Sequence, residues 1–269
     1  MTSITLDPIR VSPALTGDAF EPFNPQAYLR EYYSHLGEEN RALLHFLHEA
    51  YECIFTEMNI ARLLEFGGGP TLYQLISAAK YPVVIDFSDY LDENLREIQK
   101  WLQNQSGMFS WDNYLRYVLD LEKAPSDVQS SHQRAHLIRT KVRRLLGCNA
   151  KQADPLGTAY RAHYDIVSVN FVLESITTEM AEWNRLIAHV ASLVRPGGYL
   201  LMCAITGATS YRVGDRFFPA VPITLDLLER KLEQQQFSIA RSHVIAAEQQ
   251  ELQGYDGICM VLARKEWVE

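Results

Sequence analysis

The sequence is poor in cysteine, in basic residues and in long apolar runs, and each shortage excludes a class of protein. Its four cysteines lie far apart and form no CxxC pair, so we expect no disulfide framework and a reducing compartment. The formal net charge of −8 argues against a nucleic-acid partner, because phosphates require a basic surface. No run approaches the roughly 20 apolar residues that span a membrane, and no signal peptide is evident. We therefore expect a cytoplasmic protein without a membrane partner.

What the chain does contain is an alternation of strand-like and helix-like segments. Amphipathic helical patterns alternate with β-prone runs, which predicts a mostly parallel sheet covered by helices on both faces. Residues 1–22 have little periodicity and are predicted to be a flexible arm, and 23–269 a single domain. Strands are predicted at 63–66, 83–87, 114–121, 164–171 and 199–205, with a final antiparallel pair at 238–246 and 258–263. Helices are predicted at 39–58, 72–79, 92–103, 132–146, 178–194 and 225–236, after one opened by Asn24 and Pro25.

A run of three glycines, Gly67–Gly69, follows the first of these strands and precedes a helix. Such a turn lets a ligand approach the backbone closely. It lacks the Lys that a phosphate-binding P-loop places after its last glycine, because Pro70 stands there. It also lacks the third glycine of a dinucleotide fingerprint, where Leu72 stands.

A carboxylate about 20 residues further on completes a nucleotide-binding pattern. Asp86 follows a second apolar strand at the place where an acid would bind the two ribose hydroxyls of a nucleoside. An adenosine-containing ligand without phosphate fits both features. S-adenosylmethionine is such a ligand, with a ribose diol for Asp86 and an amino-acid end for the glycine backbone. We therefore predict this cofactor, with S-adenosylhomocysteine as its product.

Five longer motifs are distributed along the chain. They are Phe-Asn-Pro-x-x-Tyr at 23–28, Gly-Pro-Thr-x-Tyr-Gln at 69–74, Asp-Glu-Asn-Leu at 92–95, Pro-Leu-Gly at 155–157 and Arg-Pro-Gly-Gly at 195–198. With them the chain resembles, from about Phe23 to Lys265, the family of nicotinamide, phenylethanolamine, indolethylamine and thioether methyltransferases. The resemblance implies a class I Rossmann-like α/β fold, with a seven-stranded, mostly parallel sheet, an antiparallel last strand and an N-terminal helical cover at 23–60.

The resemblance also implies which residues bind the cofactor. Reaching Asn94 from Asp86 requires about three extra residues compared with the family. Asn149 and Ala150 stand where the family usually has Asp-Val against the adenine, and an Asn carbonyl can still accept a hydrogen bond there. The residues implied are Tyr28, Tyr33, Gly67, Gly68, Gly69, Thr71, Tyr73, Asp86, Ser88, Asn94, Asn149, Ala150 and Asn170.

For the methyl acceptor, the resemblance implies a small molecule, most often an amine nitrogen methylated by direct in-line transfer. Glu174 is the predicted catalytic residue, a carboxylate that orients the amine and takes its proton. Two acids of relatives are missing, at Ala204 and Ala208, so nicotinamide itself is a poor candidate. The implied acceptor-binding residues are Tyr32, Glu174, Ala204, Ala208, Tyr211 and Asp256.

Other functions stay open from the sequence alone. A nicotinamide-dependent oxidoreductase would share the glycine turn, although the third glycine is missing. A protein with this fold could bind the cofactor without catalysis, or methylate sulfur or oxygen of a small metabolite. His45, His48 and Glu49 share a helix face, but we predict no metal site, since methyl transfer needs none. We expect a monomer or a weak dimer.

Overall fold

The computed structural model describes residues 23–247 and 254–267, so the flexible arm predicted for 1–22 lies outside the described residues. Most strands are separated by helices. The strands are β1 (Ala61–Phe66), β2 (Val83–Asp89), β3 (Val142–Gly147), β4 (Tyr164–Asn170), β5 (Val194–Thr206), β6 (Ser210–Val213), β7 (Arg216–Pro219), β8 (Phe237–Ala246) and β9 (Gly257–Lys265). The α-helices are α1 (Pro25–Tyr33), α2 (Glu38–Glu57), α3 (Tyr73–Ile76), α4 (Asp92–Leu102), α5 (Asp112–Leu121), α6 (Val128–Lys141), α7 (Met180–Ala191) and α8 (Leu225–Gln234).

Seven of these strands form one sheet in the order β3-β2-β1-β4-β5-β9-β8, and β6 pairs with β7 in a separate hairpin. All neighbours pair in parallel except β9, which is antiparallel to both β5 and β8. The predicted sheet and its antiparallel last strand are therefore confirmed. The strand order reverses between β1 and β4, and α/β sheets of this kind bind ligands beyond the carboxyl ends of the strands at such a point.

Helices α1 and α2 form the predicted N-terminal cover. Helix α1 begins as its sequence indicates, because the Asn24 side chain accepts a hydrogen bond from the Ala27 amide and Pro25 occupies the first turn. Helix α2 buries an apolar stripe that includes Leu43, Leu47 and Tyr51. Burial of such a stripe against the sheet, more than intrinsic propensity, keeps a helix folded.

The prediction of a strand at 114–121 is wrong, because this segment is helix α5. Its β-prone residues suggested a strand, but the buried positions are Tyr114, Leu115, Val118 and Leu119. That spacing of one, three and one places all four on one face of a helix, whereas a strand would distribute them on both faces. The segment therefore has the hydrophobic period of a helix, and Asp120 lies near the end of this helix.

The predicted helix at 132–146 is also partly wrong, since it contains the end of α6 and nearly all of β3. The helix passes into the strand at Val142 without a turn residue, so no Gly or Pro marks the boundary. Leu137 is exposed on the helix, whereas Val142 and Leu145 are buried on the strand. The helix predicted at 72–79 is shorter than expected, with α3 followed by a 3₁₀ turn at Ala78–Lys80. The β6–β7 hairpin was not predicted.

Within the described residues, none of the helices combines the length and the apolar character that crossing a membrane requires. The four cysteines are unpaired, and three of them are buried.

Candidate active site

One cavity of about 550 Å³ opens beyond the carboxyl ends of the parallel strands and beneath the helical cover. The segments that follow β1, β2, β3 and β4 form its floor, and residues of α1 and α2 form its roof. The volume lies within the range of small-molecule sites, about 300–1,000 Å³. Its position is the one expected for the ligand site of a sheet with this strand order.

The predicted glycine turn forms part of this floor. Gly67 and Gly69 have φ values of +65° and +61°, a conformation in which other residues are strained. A Cβ atom on Gly67 would come within 2.7 Å of the Val172 side chain, whereas one on Gly69 would meet nothing within 4 Å. The turn is closed by Thr71, whose hydroxyl donates to the Gly68 carbonyl at 2.7 Å. The space beside Gly69 is open to a ligand.

Asp89 is the carboxylate that lies beside the glycine turn. It ends β2, lines the cavity, and accepts hydrogen bonds from the Gly69 amide at 2.8 Å, the Leu91 amide at 2.8 Å and the Asn94 side chain at 2.9 Å. Burial raises the pKa of Asp89, and these hydrogen bonds act in the opposite direction. The carboxylate is therefore held in one orientation at the edge of the cavity.

The prediction that Asp86 occupies this position is wrong. Asp86 lies in the middle of β2 and away from the cavity wall, where its carboxylate accepts hydrogen bonds from the Arg144 guanidinium and from the Tyr164 hydroxyl. It is a structural partner of β3 and β4. With Asp89 as the acid, the three extra residues expected before Asn94 are not needed.

Ser88 is another predicted cofactor residue that lies off the cavity wall. Its hydroxyl donates to the Glu65 carbonyl at 3.1 Å, which joins β2 to β1. The prediction is wrong because the side chain points into the sheet packing and is fully buried.

Asn170 does line the cavity and connects it to a buried carboxyl group. Its side-chain amide donates to Glu65 at 3.1 Å and to the Ser168 hydroxyl at 2.9 Å. Glu65 is completely buried under the glycine turn, and burial raises its pKa to about 8. Near neutral pH this carboxyl group is therefore mostly protonated.

The segment after β3 forms another side of the cavity, and it contains the predicted adenine contacts Asn149 and Ala150. The Asn149 side-chain carbonyl accepts a hydrogen bond from the Lys151 amide at 2.9 Å. A carbonyl oxygen has two lone pairs, so this bond leaves capacity for a second donor.

Tyrosines of the cover close the cavity from above. Tyr33 stacks on Tyr73 with ring centroids 5.3 Å apart, and the hydroxyls of Tyr28 and Tyr33 lie 3.4 Å apart. Burial raises the pKa of each of these three tyrosines. They therefore stay protonated at neutral pH and offer hydroxyl donors inside an aromatic surface.

Glu174, the predicted catalytic residue, does not lie on the cavity wall. It is fully buried, and its carboxylate accepts a hydrogen bond from the Ile205 amide at 3.0 Å. Burial raises its pKa to about 7. The structure therefore does not bring Glu174 to the cavity wall, because the 3₁₀ turn Leu173–Ser175 directs the carboxylate into the protein, and its contact with the acceptor stays a prediction. Glu174 positions Ile205, which does line the cavity.

The other predicted acceptor residues divide into two groups. Tyr32 and Tyr211 line the cavity as expected. Ala204 and Ala208 are fully buried and lie behind it, and Asp256 packs its carboxylate against Gly207, where a Cβ atom would fall 2.1 Å from it. The structure does not bring these three to the wall, and their contact with the acceptor stays a prediction.

Sequence reasoning missed many residues of the wall, among them Asp89, Glu39 and Tyr255. Asp89 ends β2 and could have been found only by extending the predicted strand by two residues. Glu39 lies in the first turn of α2, and Tyr255 precedes β9. The Tyr255 hydroxyl donates to Glu39 at 2.6 Å across 216 positions of sequence. No local pattern predicts a contact at that separation.

Comparison with known proteins shows the family to which the chain belongs. The model of the NNMT/PNMT/TEMT family matches residues 13–266. Nicotinamide N-methyltransferase of Homo sapiens is 28% identical over 248 residues, which cover 90% of this chain and 93% of that protein. Indolethylamine N-methyltransferase of Mus musculus is 29% identical, covering 93% and 96%. Phenylethanolamine N-methyltransferase of Homo sapiens is 28% identical, covering 87% and 85%.

Solved structures agree on the fold. Magnesium protoporphyrin IX methyltransferase from Synechocystis PCC 6803, solved with bound S-adenosylmethionine, superposes with a TM-score of 0.55 at 15% identity, covering 92% of this chain and 93% of that one. An S-adenosylmethionine-dependent methyltransferase from Methanosarcina mazei superposes with a TM-score of 0.52 at 15% identity, covering 81% and 99%. The predicted family and cofactor are confirmed: the chain belongs to the NNMT/PNMT/TEMT family of S-adenosylmethionine-dependent methyltransferases.

Proposed function

We propose that this enzyme methylates the amine nitrogen of a small aromatic molecule. The observation that carries the proposal is a cavity in which a glycine turn and an oriented carboxylate face a set of protonated tyrosines. The glycine turn and the carboxylate suit an adenosine cofactor, and the tyrosines suit a flat, apolar acceptor. The named relatives act, by their names, on nicotinamide, indolethylamine and phenylethanolamine, which are all small aromatic nitrogen compounds.

The residues present fit S-adenosylmethionine. Asp89 offers a carboxylate for the ribose diol, and its three hydrogen bonds hold it ready without further rearrangement. The open space beside Gly69 admits the amino-acid end to the backbone. Asn149 and Ala150 form the adenine side. When bound, the cofactor supplies a methyl group on a sulfonium.

The task of the chain is then to hold the acceptor in line with that methyl group. Tyr28, Tyr32 and Tyr211 enclose the acceptor side, and Phe23 packs on Tyr28 with centroids 5.4 Å apart. Positioning of this kind can lower a barrier by roughly 7–11 kcal/mol, so no protein nucleophile is needed. The aromatic enclosure also keeps water away from the reacting atoms.

An amine must be neutral when it attacks. The buried tyrosines are donors at neutral pH and cannot take its proton, and Glu174 faces Ile205. The proton of the acceptor amine is therefore taken by water or by a carboxylate on the cavity wall.

Calorimetry and a transfer assay test this function. S-adenosylmethionine and S-adenosylhomocysteine should bind to the purified protein, and NAD should not. A tritiated-methyl assay with phenylethanolamine, tryptamine, 2-phenylethylamine and nicotinamide should then yield at least one N-methylated product. Cofactor binding without turnover on any acceptor would instead support a binding protein without catalysis, and O- or S-methylated products would change the acceptor atom.

The setting of the reaction is also proposed. The four unpaired cysteines are compatible with the cytoplasm. The acidic net charge of −8 supports a small-molecule acceptor over a nucleic acid. We retain the prediction of a monomer or weak dimer, which size-exclusion chromatography with light scattering would test.

A further inference from the structure

Glu39 is a carboxylate on the cavity wall that is not among the residues proposed to contact the cofactor. Among the residues that the structure describes, four carboxylates line the cavity, those of Asp89, Glu179, Glu182 and Glu39. Asp89 faces the glycine turn, and Glu182 forms an ion pair with Lys151 beside the adenine segment at 3.5 Å. Glu39 lies instead in the first turn of α2, on the side of the cover tyrosines.

The position of Glu39 is fixed by a contact between distant parts of the chain. The hydroxyl of Tyr255, which is buried and lines the same cavity, donates to the Glu39 carboxylate at 2.6 Å. The bond joins the start of α2 to the segment that leads into β9. A short hydrogen bond between a hydroxyl and a carboxylate is strong and directional, so it restrains the carboxylate against the wall.

Aromatic rings surround this side of the cavity. Tyr32 is close enough to Glu39 for its pKa to be raised in part by that charge, although burial is the main cause. The Tyr28 ring is 5.1 Å from Tyr32, and Tyr211 lines the wall nearby. A carboxylate beside aromatic faces is the usual combination for an organic ammonium group, because both the charge and the ring quadrupoles attract a cation.

We propose that Glu39, restrained by Tyr255, is the residue that selects acceptors carrying an aliphatic amine on an aromatic body, by binding the amino group. A carboxylate accepts a hydrogen bond from an ammonium ion and from a neutral amine, so the contact persists when the nitrogen loses its proton. The inference rests on the proposed function, and the carboxylate that it assigns to the amine lies on the cavity wall.

Binding measurements on the protein saturated with S-adenosylhomocysteine test Glu39. The probes are 2-phenylethylamine, which is cationic at pH 7, and 2-phenylethanol, which replaces the amine by a hydroxyl. We expect the wild-type protein to prefer the amine. Glu39→Gln should weaken amine binding by about 10- to 100-fold, the range for a hydrogen bond to a charged group, and leave the alcohol within about threefold.

Two further variants separate this role from a structural one. Glu38→Gln changes the neighbouring acid, whose side chain is 85% exposed and off the wall, and should leave both affinities unchanged. Tyr255→Phe removes the restraint and should weaken the amine selectively, by less than Glu39→Gln. The affinity for S-adenosylhomocysteine should be the same in all four proteins, which also shows that they are folded.

Distinct results would overturn each proposal. Failure of the wild-type protein to bind S-adenosylhomocysteine would reject the proposed function itself. Normal cofactor binding together with no preference for the amine, or with equal losses of amine and alcohol in Glu39→Gln, would reject the role of Glu39 and leave the cofactor site standing.

Discussion

Replacement of Asp89 by Ala tests which carboxylate binds the cofactor. In the proposed complex Asp89 accepts a hydrogen bond from each of two ribose hydroxyls. Hydrogen bonds to a charged group contribute about 1.5–3 kcal/mol each, so losing both costs about 3–6 kcal/mol, or roughly 100- to 10⁴-fold in Kd. The variant also loses the bonds that orient Gly69 and Asn94, which adds to the loss. Calorimetric titration with S-adenosylhomocysteine measures the change.

The matched control is Asp86→Asn, which alters the carboxylate three residues earlier on the same strand. Its ion pair with Arg144 is buried on the Asp side and 35% exposed on the Arg side. Removing one partner of a fully buried pair costs about 3–5 kcal/mol, and solvent at Arg144 reduces this to about 1–2 kcal/mol of folding free energy. Its Kd for S-adenosylhomocysteine should stay within about twofold of the wild type. Reversed effects of the two variants, or a Kd for Asp89→Ala within about threefold of the wild type, would refute the assignment.

Three further predictions concern the rest of the site. Burial raises the pKa of Glu65 from 4.5 to about 8, so the folded protein keeps a proton that the unfolded chain releases. Measured in urea titrations relative to Glu65→Gln, the free energy of unfolding should therefore fall by about 1 kcal/mol per pH unit between about pH 5 and pH 8. A difference that stays constant with pH would contradict this. Glu31 joins α1 of the cover to the β6–β7 hairpin, through Arg212 at 3.1 Å and the Gly214 amide at 2.8 Å. Because Glu31→Gln weakens this connection, it should speed dissociation of S-adenosylhomocysteine several-fold in stopped-flow experiments. An unchanged rate would show that the connection does not retain the ligand. Gly68→Ala would place a Cβ atom 2.3 Å from the buried Phe87 ring. It should lower the free energy of unfolding by about 1–3 kcal/mol in thermal unfolding, and an unchanged melting temperature would contradict this.

Much of the fold could be predicted because its signals are local. Alternating apolar periods, the capping residue Asn24 and the glycine turn each depend on neighbours in sequence, and the sheet with its antiparallel last strand followed from them. The errors arose where a local signal was ambiguous. Helix α5 is rich in β-prone residues, and α6 runs into β3 at Val142 without a breaker. Tertiary burial decided both cases.

The acceptor side of the site was the least predictable. Its wall depends on which way side chains point at the ends of elements, and on contacts across long separations. Glu174 was chosen for its chemistry, but its carboxylate turns inward to the Ile205 amide. Glu39 and Tyr255 meet across 216 positions, a contact that no spacing in one sequence reveals.

The two carboxylates of β2 show how a small error in a strand boundary changes a functional assignment. Side chains on a strand alternate between its faces, so Asp86 and Asp89, three positions apart, point to opposite sides of the sheet. Three residues also span about 10 Å along the strand, which separates its middle from its end. The predicted strand stopped at Phe87 because Ser88 and Asp89 have low β-propensity. Pairing of Asp89 with Gly147 of β3 extends the strand to the cavity edge. Pairing with the neighbouring strand therefore places Asp89, and not Asp86, at the edge of the cavity.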